Sequence, residues 1–125
     1  MKILLMLAGL NAAISIGLGA YGWHNLGDVP EIRDVFMMGS QYQMWHALAL
    51  VGVGLLVNVG GPRRALLIIA TMFQSGIILF SGTLYAFGLI NIVPVSGAAP
   101  LGGGILILAW LGLALVGVRW KKTHI

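Results

Sequence analysis

Residues 101–118 read LGGGILILAWLGLALVGV, and the basic sequence RWKK follows directly at 119–122. An α-helix needs about 20 apolar residues to cross the hydrocarbon core of a bilayer, and this stretch carries no charge over nearly that length. Basic residues at the end of such a stretch are typical of the cytoplasmic boundary of a transmembrane helix. The stretch therefore predicts a membrane-spanning helix.

The whole chain has the composition of a membrane protein. Only 8% of its 125 residues are charged and 59% are apolar, and its mean hydropathy is +1.00, whereas soluble domains carry about 25% charged residues. Four apolar stretches account for most of the chain, over residues 3–22, 42–59, 65–88 and 101–118. We therefore predict an all-α fold, a single transmembrane domain over 1–125 that forms a bundle of four transmembrane helices. The first stretch is longer than the ~7–15 apolar residues of a signal peptide, so we expect it to be retained.

The basic residues indicate how the chain lies in the membrane. The net charge is +4, but the positive charges lie at predicted helix ends, which argues against a nucleic-acid partner. With four spans, six of the seven basic residues fall on one side of the membrane: Lys2, Arg63, Arg64, Arg119, Lys121 and Lys122. The positive-inside rule makes this side cytoplasmic. We therefore predict a multi-pass protein of the bacterial inner (plasma) membrane with cytoplasmic N- and C-termini.

The segment between the first two spans has a helical pattern of its own. Residues 28–31 read DVPE, which is typical of a helix N-terminus with proline in its first turn. Ile32, Val35, Phe36 and Gly39 then follow with the spacing of one helix face. We predict a short amphipathic surface helix over 29–39 that bends near Gly39 into span two. A plain helical extension of span two remains the alternative.

Small residues recur at helical spacing in the first and last spans. Gly9, Ala13 and Gly17 lie at intervals of four in span one. In span four, Gly104 and Gly112 lie on one face with Leu108 between them. Lipid provides no hydrophobic drive for helix association, so small residues that allow close backbone approach often mark helix contacts. These stripes predict helix contacts, either within one chain or between chains.

Polar side chains inside the spans form the candidate site. They are costly in lipid and usually face the interior of a bundle. Helical spacing predicts that several of them converge in the outer half, as a polar cluster or ligand pocket formed by His24, Tyr42, His46, Gln74, Ser81 and Tyr85. Asn11 and Gln74 both lie near the predicted midplane.

Four motifs through these residues resemble one known family. Residues 19–24 (GAYGWH) resemble its motif G-A-F/Y-G-x-H, and residues 41–50 (QYQMWHALAL) contain Y-Q-x-x-H-A-L-A-L. Residues 79–85 (LFSGTLY) resemble L-F-S-G-S-L-Y, and residues 99–103 (APLGG) resemble T-P-L-G-G with alanine in place of threonine. The chain thus resembles a domain-of-unknown-function family that includes YgdD- and YwdK-like inner-membrane proteins. The resemblance implies a four-helix inner-membrane protein. It does not imply a catalytic mechanism.

The residue types available narrow the function classes. His24 and His46 could both bind a metal or haem iron, but no third strong ligand is evident, so we predict no metal and no cofactor. Ser81 has no intramembrane carboxylate to support nucleophilic catalysis, so we predict no catalytic residues and no enzyme. The favoured interpretation is a small accessory, structural or assembly subunit that contacts membrane lipids and either a membrane protein partner or a second copy. The alternative is binding or transport of a lipid or small apolar ligand through the outer polar pocket.

Overall fold

The computed structural model describes residues 2–121, which form four long α-helices in an up-and-down arrangement. These are α1 (Lys2–Asn25), α2 (Pro30–Asn58), α3 (Arg63–Ile90) and α4 (Ala98–Arg119). The extensive packing contacts join helices that are consecutive in the chain, α1 with α2, α2 with α3 and α3 with α4. Lys122, one of the six basic residues predicted on the cytoplasmic side, lies outside the described residues.

One end of the bundle collects the basic residues. Lys2 of α1 and Arg63 of α3 line the same groove there. Trp120, which follows α4, packs on the α2–α3 turn, where a methyl group on Gly61 would lie 3.0 Å from the Trp120 indole. We call this the basic end. The opposite end holds the other two helix connections.

Three of the four helices are long and apolar enough to cross a membrane within the described part of the chain, namely α1, α3 and α4. They contain the predicted spans 3–22, 65–88 and 101–118. The predicted span 42–59 falls at the end of α2, which is 29 residues long but more polar than the other helices. Helix α2 therefore does not qualify as a span by composition.

The predicted surface helix over 29–39 is wrong as a separate element. Helix α2 runs without interruption from Pro30 to Asn58, and its residue Gly39 is helical and buried. The apolar face of this segment packs inside the bundle, because Phe36 is 0% exposed. Glycines on the neighbouring helices make room for the Phe36 ring: a methyl group would lie 2.6 Å from it at Gly22 of α1 and 2.5 Å at Gly88 of α3.

The helix connections use the residues that the sequence marks as breaks. The α2–α3 turn contains Gly60 with φ 92°, and the Gly61 N–H donates to the Leu56 carbonyl at 2.9 Å. Asn91, directly after α3, has φ 58°, and Gly97, directly before α4, has φ 83°. Glycine and asparagine adopt this left-handed conformation more readily than other residues.

The small-residue stripe of α1 does not pack inside this bundle. A methyl group on Gly9 or Gly17 would meet no atom within 4 Å, and Ala13 is exposed. In the stripe of α4, Leu108 is 58% exposed and only Gly112 approaches a neighbouring helix, at Ile69. The positions of the small residues therefore do not predict which faces of α1 and α4 point into the bundle. Helix α1 instead buries the face formed by Leu4, Ala8, Asn11, Ser15 and Gly22.

Candidate functional site

A chain of side-chain hydrogen bonds joins α1, α2 and α3 in the middle of the bundle. The Asn11 amide donates to the Gln74 oxygen at 2.7 Å. The Gln43 amide donates to the Asn11 oxygen at 3.0 Å, and the Tyr85 hydroxyl donates to the Gln43 oxygen at 2.6 Å. We call these four residues the amide cluster. Because all three amide oxygens accept a hydrogen bond, the cluster satisfies polar groups that would be costly in an apolar interior.

The hydrogen bonds of the amide cluster stabilise the packing of α1, α2 and α3. Each of its three side-chain pairs joins residues of different helices, and Asn11 also donates to the Leu7 carbonyl at 2.8 Å. Interhelical hydrogen bonds in a membrane protein contribute about 0.6 kcal/mol each on average. Three of them therefore supply roughly 2 kcal/mol, which is enough to fix how α1, α2 and α3 are rotated against one another.

His46 of α2 contacts residues of α3 and α4. Its Nδ1 lies 2.6 Å from the Tyr42 carbonyl oxygen, and its Nε2 lies 3.0 Å from the indole nitrogen of Trp110. An indole N–H can only donate and a carbonyl can only accept. His46 is therefore the neutral tautomer with hydrogen on Nδ1, and both ring nitrogens are occupied. In this arrangement neither nitrogen presents a lone pair to a metal ion.

Aromatic rings surround the His46 imidazole. Ring centroids are 5.7 Å apart for His46 and Phe73, 4.9 Å for Phe73 and Trp110, and 4.7 Å for Tyr42 and Phe80. Tilted and edge-on contacts at such distances are favourable. We call Tyr42, His46, Phe73 and Trp110 the histidine cluster; together with the amide cluster it ties all four helices to one another.

Two serines lie on the α1–α2 and α2–α3 faces. Ser40 donates to the Ser15 carbonyl of α1 at 2.8 Å. The Ser81 hydroxyl of α3 is buried, with the residue 1% exposed, and has no hydrogen-bond partner in the part of the chain that the structure describes. An activated serine nucleophile needs a base within hydrogen-bond reach, and none of the described side chains provides one for Ser81.

The structure divides the six predicted site residues among different surroundings. Gln74 and Tyr85 belong to the amide cluster, Tyr42 and His46 to the histidine cluster, and Ser81 is buried without a partner. A common pocket formed by all six stays a prediction.

The predicted inward orientation of His24 is wrong, because His24 is exposed near the end of α1. The reason is helical rotation. Gly22 faces Phe36, and a residue two positions later points about 200° away from it on an α-helix with 3.6 residues per turn. Across residues 2–121, no three His, Cys, Asp or Glu side chains lie close enough together to hold a metal ion.

Gln43, Phe73 and Trp110 belong to the two clusters but are absent from the sequence prediction, which named Asn11 only for its depth near the midplane. Gln43 is buried on the same face of α2 as Gly39, His46 and Leu50, so its spacing of three from His46 could have found it. Trp110 is 45% exposed. In the sequence it looks like a lipid-facing tryptophan, and no neighbouring residue indicates its hydrogen bond to His46.

An open groove reaches the amide cluster between α1 and α3. Its volume is about 450 Å³, and its lining combines leucine and isoleucine side chains with Gln74, Thr71 and Ser75. Ile3 and Leu4 at the start of α1 also line it, so it extends to the basic end.

Comparison with known proteins gives a consistent family. The family model described as "Protein of unknown function (DUF423)" matches residues 18–103. The chain is 34% identical over 122 residues to the UPF0382 membrane protein YwdK of Bacillus subtilis, covering 96% of this chain and 99% of the relative. It is 32% identical to a UPF0382 membrane protein of Staphylococcus epidermidis, covering 96% and 98%, and 30% identical to one of Haemophilus influenzae, covering 94% and 95%. No solved structure matches the chain significantly.

Proposed function

The chain belongs to the DUF423 family of UPF0382 membrane proteins, and on that premise we propose that it is a four-span inner-membrane protein that acts as a small accessory or assembly subunit. Its termini lie in the cytoplasm, and the exposed face of α1 binds a helix of another membrane protein or of a second copy. The function of this protein is therefore association rather than catalysis.

The course of the chain supports a fourth span. Helix α1 starts at the basic end and finishes at the opposite end, while α3 starts at the basic end, where Lys2 and Arg63 line one groove. If α1 and α3 both cross the membrane, the chain must cross again between Asn25 and Arg63, and α2 occupies that interval. At 1.5 Å per residue, its 29 residues extend about 43 Å, enough for the ~30 Å hydrocarbon core.

The polarity of α2 is compatible with this crossing. Gln43 and His46 lower its apolar content, but both are buried and hydrogen-bonded to neighbouring helices. The charged residues of α2, Glu31, Arg33 and Asp34, all lie in its first two turns at the opposite end. Beyond these turns the exposed residues of α2 are apolar except Gln41 and the last residue, Asn58.

The accessory role rests on one observation, the unpartnered stripe of small residues on α1. Gly9 and Gly17 have open space above them and Ala13 is exposed, so the stripe is free to receive a helix from outside this chain. Glycines that pack within the bundle, such as Gly22 and Gly76, leave no such room. Stripes of this kind are common at helix–helix interfaces in membranes.

Gentle solubilisation of the tagged full chain from its native membrane tests the accessory role. We expect a stoichiometric membrane partner, or a crosslinked second copy, with the wild-type chain, and its loss in Gly9→Leu/Gly17→Leu because leucines fill the stripe. The matched control is Gly52→Leu/Gly82→Leu, two positions that also have open space but lie on α2 and α3. A wild-type chain that purifies as a monomer, or equal loss in both variants, would contradict the proposal.

The groove between α1 and α3 favours a second candidate, binding of a lipid chain or small apolar ligand. Its volume of about 450 Å³ is in the range of ligand sites, and Gln74 offers a polar contact inside it. The pocket predicted in the outer half stays a prediction. Two of its residues already bond to protein groups: the Tyr85 hydroxyl donates to Gln43, and His46 accepts from Trp110.

Native mass spectrometry tests this second candidate. We expect a retained small molecule that is lost in Thr71→Trp, which fills the groove, and kept in Ile68→Trp, an exposed position of α3 outside the groove lining. Equal retention by both variants would contradict ligand binding in this groove.

A further inference from the structure

A second groove, at the basic end, combines apolar walls with a basic rim. Its volume is about 420 Å³, and it lies between the α2–α3 turn and the last turns of α4. Its principal lining residues are Ala65, Leu115, Val116, Arg119, Trp120 and Lys121. The lining thus changes from apolar to positively charged along α4, as the surroundings change from hydrocarbon to water at a membrane surface.

Trp120 gives this groove a fixed wall. The indole packs against Gly61 and the hydrophobic core, and the backbone N–H of Trp120 donates to the Val116 carbonyl at 2.8 Å. Arg119 and Lys121, its chain neighbours, are both exposed and both line the groove. The anchored tryptophan therefore holds two cations beside one apolar wall.

The positive charge at this groove has no side-chain counterion in the described part of the chain. The three acidic residues of the whole sequence are Asp28, Glu31 and Asp34, and all lie near the start of α2 at the opposite end. The described residues therefore provide no anion for Arg119 and Lys121. Charge complementarity together with an apolar wall favours a molecule that is anionic at one end and hydrocarbon at the other.

We propose that this groove is a binding site for an anionic phospholipid of the adjoining leaflet. The lipid phosphate contacts Arg119 and Lys121, and the upper part of one acyl chain lies against Leu115, Val116 and Ala65. The proposal is independent of the accessory role of α1, because the two surfaces share no residue. It goes beyond general attraction to a negatively charged membrane, since it assigns one groove and two cations.

The test uses the full chain in nanodiscs of phosphatidylglycerol and phosphatidylcholine with matched acyl chains, followed by native mass spectrometry of retained lipid. A basic residue near an anionic membrane surface contributes roughly fivefold in affinity. We expect preferential retention of phosphatidylglycerol by the wild-type chain and a loss on the order of 20-fold in Arg119→Gln/Lys121→Gln. Both side chains are exposed, so we expect the variant to keep the helical circular dichroism and thermal unfolding of the wild type.

The matched control is Lys2→Gln/Arg64→Gln, which removes the same charge from the basic end at residues that do not line this groove. We expect less than a twofold change in retained phosphatidylglycerol with this control, measured in the same nanodiscs. Equal loss in both variants would mean that only the total positive charge of the basic end matters and would overturn the site. Equal retention of the two lipids by the wild-type chain would overturn it as well.

Discussion

Gln43 and Asn11 occupy the middle of the hydrogen-bonded chain that runs from Gln74 to Tyr85. The sequence indicates that Asn11 and Gln74 lie at similar depth, because depth follows from position along a span. It does not indicate which polar residue of α2 meets them, since that depends on how α2 is rotated against α1 and α3. Gln43 was therefore missed.

Replacement of Gln43 by leucine should destabilise the protein. It removes two interhelical hydrogen bonds and leaves the Tyr85 hydroxyl and the Asn11 oxygen without these partners. A buried polar group that loses its partner costs about 1–3 kcal/mol, and we expect Gln43→Leu to lower the free energy of unfolding in detergent by about 2 kcal/mol. Gln41→Leu, an exposed position of the same helix, is the control. Equal free energies of unfolding for the two variants would contradict a stabilising role of the amide cluster.

The Trp110 indole should stabilise the fold through its hydrogen bond to His46 as well as through packing. Trp110→Phe keeps an aromatic ring but removes the N–H that donates to His46 at 3.0 Å. We expect a loss of about 1 kcal/mol in the free energy of unfolding. Trp45→Phe, at a 50% exposed position of α2, should cost less. A Trp110→Phe variant no less stable than Trp45→Phe would show that the hydrogen bond contributes nothing.

At the scale of helices, the sequence predicts where each helix lies along the chain better than how the helix is rotated about its axis. Long apolar runs define α1, α3 and α4, because hydropathy is a local property. The segment 29–39 was predicted as a surface helix because the DVPE sequence at 28–31 and the spacing of apolar residues after it are typical of a separate amphipathic helix. In the structure Phe36 of this segment packs in a recess made by Gly22 and Gly88 on two other helices, which no local pattern reveals.

A methyl group in this recess should loosen the outer end of α2. At Gly88 it would lie 2.5 Å from the Phe36 ring, whereas at Gly82 of the same helix it would meet no atom within 4 Å. Overpacking a tight core typically costs 1–3 kcal/mol, so we expect Gly88→Ala to reduce the free energy of unfolding by about 2 kcal/mol. Gly82→Ala, the control, should be neutral or slightly stabilising because alanine favours helix.

A second substitution at the partner residue checks this explanation. Phe36→Leu removes part of the ring that the methyl group would meet, so Gly88→Ala should be less harmful in the Phe36→Leu background than in the wild type. Additive effects of the two substitutions on the free energy of unfolding would contradict direct contact between these positions.

At the scale of the whole molecule, the charge distribution and the course of the chain support the proposed topology. All three acidic residues lie at the opposite end, and Lys2, Arg63, Arg119 and Lys121 lie at the basic end. The sequence could predict this segregation because it requires only the number of spans. The association partner could not be predicted in the same way, since it depends on a surface, the α1 stripe, whose orientation only the packed helices define.

Cysteine labelling tests the central claim, that α2 crosses the membrane and the basic end is cytoplasmic. The chain contains no cysteine, so single substitutions Gly27→Cys, Asn58→Cys and Ser96→Cys can be made at exposed positions near helix ends without background. With a membrane-impermeant maleimide added to intact spheroplasts, we expect labelling at positions 27 and 96 at once, and at position 58 only after the membrane is opened. Labelling of positions 27 and 58 from the same side of the sealed membrane would contradict the account.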